Sequence, residues 1–97
     1  MKSPDDDFPR QIPINGVLDL HTFRPQDLSS LIPDYLVACQ GAGVLEVRII
    51  HGKGIGNLKR TVEALLKRNP RVAKISPASQ LYGGLGATIV QLLPLDK

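Results

Sequence analysis

The chain has 97 residues, 42% hydrophobic and 22% charged, with one cysteine and a net charge of +3. That length holds one domain with one modest core and leaves no room for a second site-bearing domain. A single cysteine excludes an internal disulfide and points to a reducing, cytoplasmic setting, and no apolar run approaches the length of a membrane span.

The charge is unevenly placed. Residues 1–47 carry three basic and seven acidic side chains, whereas residues 48–74 carry eight basic side chains against Glu63 alone. A basic block of this kind suits a polyanionic partner such as nucleic acid. A solvated helix face is the plainer account of any charge run.

Residues 1–13 combine Pro4, Pro9 and Pro13 with Asp5, Asp6 and Asp7. They read as a mobile arm, and they lack the apolar stretch of a signal peptide. Val17 to His21 reads as a short strand, with Leu18 and Leu20 on one face and Val17, Asp19 and His21 on the other. After a turn over Thr22 to Gln26, a helix runs to about Gln40 with Leu28, Leu31, Ile32, Tyr35, Leu36 and Cys39 on one stripe. Pro33 lies inside that stripe and predicts a kink or a reset of the first turn. Gly41-Ala42-Gly43 ends the helix.

Val44 to Ile50 is apolar and β-branched, a buried strand. His51-Gly52-Lys53-Gly54-Ile55-Gly56 follows as a glycine-rich turn. A second helix from Asn57 to Arg68 carries Leu58, Val62, Leu65 and Leu66 at helical spacing, with Lys59, Arg60 and Lys67 projecting elsewhere. Lys59, Glu63 and Lys67 stand at i, i+4 spacing and could pair weakly. Asn69-Pro70 stops this helix. Val72 to Ile75 is a third strand, Pro77 to Gly86 a loop, and Ala87 to Leu93 a fourth strand. The domain therefore spans 14–93, with 94–97 as a tail. The order β-α-β-α-β-β predicts a two-layer α/β sandwich. Its first three strands run parallel, both helices lie on one face, and the last strand returns antiparallel.

Parallel strands share a C-terminal edge, where open α/β sheets bind ligands. His21 and His51 both emerge there. If their strands are neighbours, one phosphate could touch both imidazoles. The turn at 51–56 fits a phosphodiester: glycines admit a close backbone approach, the helix start offers free N–H groups, and Lys53 adds charge. It is neither a Walker loop, which needs lysine followed by Ser or Thr after the last glycine, nor a dinucleotide fingerprint. Asp19, His21 and His51 suit a two-histidine, one-carboxylate metal site or an acid–base set equally well on the residues alone. No carboxylate cluster of the two-metal nuclease kind occurs, so no cofactor is expected, with a divalent metal left open but not indicated. Tyr82 and Gly83-Gly84-Leu85-Gly86 form a second glycine loop, as readily structural as binding.

Three segments in order, Leu18-Asp19-Leu20-His21, His51-Gly52-Lys53-Gly54, and Gly83-Gly84-Leu85-Gly86-Ala87-Thr88 running into Ile89-Val90-Gln91-Leu92, resemble the Smr (small MutS-related) domain in its stand-alone short form. The resemblance extends from about Ile14 to Leu93. It implies a sandwich like the C-terminal domain of bacterial translation initiation factor three. It also implies nucleic-acid binding, a possible association with ribosomes, and in many members endonuclease activity on DNA or RNA. The family's active residues map onto Asp19 and His21 and onto His51, Gly52 and Gly54. The sequence departs from the pattern at Leu85, where close relatives often carry a bulkier residue, commonly Trp. That departure bears on stacking by this loop and not on the chemistry. On this reading His21 and His51 share the acid and base roles and Asp19 orients His21. Gly52, Lys53, Gly54 and Gly56 hold the phosphate, while Lys59, Arg60 and Lys67 bind its neighbours. The rival expectation is a binding module without catalysis, associated with nucleic acid or the ribosome.

Overall fold

Alternating apolar residues build four strands, and 3.6-residue apolar stripes build two helices. They follow one another as β1 (Val17–Asp19), α1 (Leu28–Gly41), β2 (Glu46–Ile50), α2 (Asn57–Lys67), β3 (Val72–Pro77) and β4 (Ala87–Leu92). Short 3-10 turns at Pro25–Asp27 and Gly84–Gly86 precede α1 and β4. The computed structural model describes residues 12–52, 57–79 and 84–95.

The sheet order is β1-β2-β4-β3. β1 pairs parallel with β2, while β4 runs antiparallel to both β2 and β3. The first three strands therefore point the same way, as the connections predict, but β4 lies between the second and the third. Leu18, Val47, Ile49, Val90 and Leu92 face the helices and are buried with Leu31, Ile32, Leu36, Val62 and Leu66. Val17, Asp19 and Glu46 face outward and are exposed. This is a two-layer α/β sandwich with one open sheet face.

The strand ends have local causes. The Leu20 amide still donates to Ile50 O at 3.0 Å, but the His21 amide donates to the Asp19 carboxylate instead. β1 thus stops short of His21. β2 begins at Glu46 rather than Val44 because the chain before it closes α1. Gly43 takes φ +80, its amide donates to Gln40 O, and the Val44 amide donates to Cys39 O at 2.8 Å. That double bond is a Schellman cap. β3 extends to Pro77, which an edge strand tolerates because proline brings no N–H. α1 continues through Pro33. The carbonyl that loses its partner there belongs to exposed Ser29, where water can serve it.

Packing begins upstream of the expected domain boundary. Ile12 is buried in the core. The Tyr35 hydroxyl donates toward Pro13 O (3.1 Å) and Val17 O (3.2 Å) and accepts from the Gly16 amide (3.2 Å). Burial pushes this phenol up to about 12. Buried Gln40 does similar work at the far end of the sheet, donating to Leu93 O (2.7 Å) and accepting from Arg71 Nη1 (2.6 Å).

Gly16 joins this segment to β1. Its φ is +87, and a Cβ there would meet Glu46 O at 2.8 Å. Its own carbonyl accepts from the Arg48 amide at 2.6 Å, so the backbone has no room to yield. Gly16→Ala is expected to lower stability by at least about 1–3 kcal/mol from the backbone conformation alone. The urea midpoint measures this, and an unchanged midpoint would contradict it.

Candidate active site

Asp19 and His21 sit where β1 ends. Asp19 lies on the open face of the sheet, and His21 follows in the turn beyond β1, tied back to the Asp19 carboxylate. His21 Nδ1 lies 2.5 Å from Asp19 Oδ1, and the His21 amide donates to the same oxygen at 3.0 Å. A carboxylate can only accept, so Nδ1 carries the proton and Nε2 is the nitrogen turned away from the carboxylate. Both side chains are more than half exposed, and among the described residues nothing hydrogen-bonds Nε2. The hydrogen bond from the His21 amide, with help from the ring, holds the Asp19 carboxyl below the usual aspartate range. The pair is an oriented imidazole with one nitrogen presented to solvent.

His51 leaves β2 at the same edge but on the other side. Val47 and Ile49 face the core, and His51 follows at the same two-residue step. It is only 7% exposed. Nδ1 lies 2.9 Å from Gly52 O, and Nε2 lies 2.9 Å from Thr88 Oγ1. Thr88 stands opposite Ile49 across the β2–β4 ladder, which puts its side chain on that same core face. Both ring nitrogens are therefore engaged within the protein. Of the two imidazoles expected to flank one phosphate, His21 is exposed and His51 is buried with both ring nitrogens bonded.

The turn after His51 is held by β4. Gly86 O accepts from the amides of both His51 (3.0 Å) and Gly52 (2.9 Å), and Gly52 takes φ +82, where glycine is the natural residue. Lys53, Gly54 and Gly56 lie outside the described residues, as does Tyr82. On α2, Lys59 is half-buried while Arg60 and Lys67 are exposed. The weak pairing expected of Lys59, Glu63 and Lys67 is not formed: the ion pairs among the described residues are Asp19–His21 and Arg24–Asp27. Nor do the described residues gather a group of three or more His, Cys, Asp or Glu side chains able to hold a metal. Asp19 and His21 meet, but His51 is turned into the core.

A shallow groove of about 580 Å³ lies along the open face, lined by Asn15, Gly16, Val17, Glu46, Arg48, Ser79 and Ile89. Val17, which lines it, is two residues before Asp19 on the same face of β1, while Asp19 and His21 themselves lie outside its lining. Sequence reasoning did not single out this groove, nor the Thr88 hydroxyl as a partner for His51. A signal for the second was present, since Val47, Ile49 and His51 form one alternating series whose first two members are plainly apolar.

The Smr domain family model matches residues 18–93. This chain is a member of the Smr domain family. Of the curated relatives, Endonuclease MutS2 of Halalkalibacterium halodurans is 41% identical over 75 residues, which is 77% of this chain and 10% of that protein. Endonuclease MutS2 of Clostridium tetani is 41% identical over 79 residues. The chain thus spans about a tenth of the length of the curated relatives it matches. Among solved structures, the Smr domain of Thermus thermophilus MutS2 superposes with a TM-score of 0.75 at 29% identity, covering 80% of this chain and 98% of that one. YdaL, a stand-alone small MutS-related protein from Escherichia coli, gives a TM-score of 0.73 at 27% identity over 82% of this chain and 66% of its own. The Smr fold expected from the three sequence segments is the fold observed. No helix among the described residues is long and apolar enough to cross a membrane.

Proposed function

We propose that this chain is an endonuclease that cleaves phosphodiester bonds in nucleic acid, with Asp19 and His21 as its proton-transfer pair. The observation that carries the reading is the orientation of that pair: a carboxylate fixes Nδ1–H and leaves Nε2 toward solvent at the C-terminal edge of parallel strands. Nε2 takes the proton of the attacking oxygen as that oxygen bonds to phosphorus. The bond from phosphorus to the departing oxygen breaks, and the departing oxygen takes up a proton from water. The charged Asp19 stabilises the imidazolium, which then returns its proton to solvent. The naming of full-length relatives as endonucleases supports the reading. In this scheme the turn beginning at Gly52, with Lys53, Gly54 and Gly56, holds the scissile phosphate. Lys59, Arg60 and Lys67 hold its neighbours without reading sequence. A buried lone thiol suits a cytoplasmic protein.

RNA is the substrate such a pair handles with least help, because the 2′-hydroxyl is a built-in nucleophile and no metal-activated water is needed. Incubating the pure protein with labelled RNA and with supercoiled DNA, with and without chelator, tests this. Chelator-resistant cleavage of RNA to 5′-hydroxyl and 2′,3′-cyclic phosphate ends is expected. Ends bearing 5′-phosphate, or activity abolished by chelator, would overturn the metal-free scheme.

A second reading is a module that binds nucleic acid or a ribosome-associated surface without cutting. It is favoured by the burial of His51, since binding requires the basic helix and not two exposed imidazoles. Either reading makes affinity salt-dependent through counterion release. Charge reversal at Lys59, Arg60 and Lys67 together should weaken binding equally on all sequences and flatten its dependence on salt, as measured by fluorescence anisotropy. Unchanged affinity in the triple variant would remove α2 from the interface.

A further inference from the structure

We infer that Thr88 is a positioning residue, which acts through His51 to fix the turn by which the chain leaves β2. Gly52 O can only accept, so the 2.9 Å contact places a proton on His51 Nδ1. In the neutral ring Nε2 then carries the lone pair, and the donor facing it is the Thr88 hydroxyl at 2.9 Å. Thr88 is 2% exposed and His51 7%, so water does not compete for either contact. The partner of one ring nitrogen sets the proton on the other. Gly52 O therefore sets the tautomer, and the Thr88 hydroxyl donates to the lone pair this leaves on Nε2 and holds the ring in place. Gly86 O meanwhile accepts from the amides of His51 and Gly52. Three successive features of β4 and its approach — the Gly86 carbonyl, the Ala87–Ile50 pairing and the Thr88 hydroxyl — grip the end of β2 from one side.

The consequence is a division of labour between the two histidines. His21 faces solvent and is available to a reacting atom. His51 is a buried strut, and its imidazole ties β4 to the chain at Gly52. The tautomer assignment stands on this geometry alone. Its effect on a substrate deepens the nuclease reading above and rests on it.

Thr88→Val removes the hydroxyl and keeps the shape, whereas Thr88→Ser keeps the hydroxyl. Long-range ¹H–¹⁵N spectra of the intact chain should show His51 as a single neutral tautomer protonated at Nδ1, in the parent and in Thr88→Ser. In Thr88→Val the Nε2 signal should shift as its lone pair loses the hydroxyl donor while Nδ1 stays protonated, and the His51 and Gly52 amides should exchange faster with solvent. In a cleavage assay the same variant should raise KM by roughly tenfold, the order of one lost hydrogen bond, with kcat largely kept. An Nε2–H tautomer in the parent, or ring signals unaltered in a folded Thr88→Val, would overturn the inference. If Thr88→Val fails to fold, the parent tautomer and its retention in Thr88→Ser decide the question. Altered ring signals in Thr88→Val, with a parent protein that cuts nothing, would leave the role of Thr88 standing and defeat the nuclease reading instead.

Discussion

His21→Ala should lower phosphodiester cleavage by about 10²-fold or more while nucleic-acid affinity is largely kept. The imidazole is exposed, so its removal opens no cavity, and the phosphate contacts proposed on α2 are untouched. Asp19→Asn should cost less, because the amide oxygen can still accept the Nδ1–H bond while the charge that favours the imidazolium is lost. The pH–rate profile adds a check on sign. The hydrogen bond from the His21 amide lowers the Asp19 carboxyl, so it takes up its proton at a lower pH than an unperturbed aspartate. Loss of rate at mildly acid pH must therefore come from another group, and the Asp19→Asn variant should retain that acid limb. His21→Ala with undiminished kcat would exclude the pair from the chemistry.

The largest expected loss of stability is at Leu66. Val62 and Leu66 of α2 are fully buried, whereas Leu58 and Leu65 lie at the rim of the core. Leu66→Ala should cost about 2–5 kcal/mol in chemical denaturation, and Leu65→Ala distinctly less. The helical spacing alone placed all four leucine and valine side chains on one stripe and did not rank them. The ranking depends on where α1 and the sheet press hardest, which is a tertiary fact. Equal losses at Leu65 and Leu66 would mean that α2 is rotated from the position described.

What the residues revealed follows from the range over which each signal acts. Period-2 and period-3.6 patterns are local, and they located every strand and both helices, including the buried stripe of α1 from Leu28 to Cys39. The cap at Gly43 was also local. The insertion of β4 between β2 and β3 was not legible, because strand order is decided by pairings across dozens of residues. The same limit hid the site's inner structure. Asp19 and His21 are neighbours in sequence, so their partnership could be read. Thr88 lies thirty-seven residues from His51, and their bond exists only because β4 pairs with β2. The burial of His51 was legible in the residues, because it continues the Val47, Ile49 alternation, which marks an inward-facing position.

The strand order also bears on how the chain assembles. β4 is made last of the four strands and yet is the one that joins the sheet's two parts. A nascent chain that has emerged through β3 holds a parallel β1–β2 pair and a separate β3, with one long edge of β2 unpaired. Its hydrophobic floor under α2 is incomplete until Val90 and Leu92 arrive. Closure must await contacts between segments far apart in sequence, the circumstance that slows folding and exposes strand edges to other chains. Until the last strand slots into place, the growing polypeptide is a candidate for chaperone protection, and the Gly86–Thr88 segment that later braces His51 is also the leading end of the strand that completes the fold.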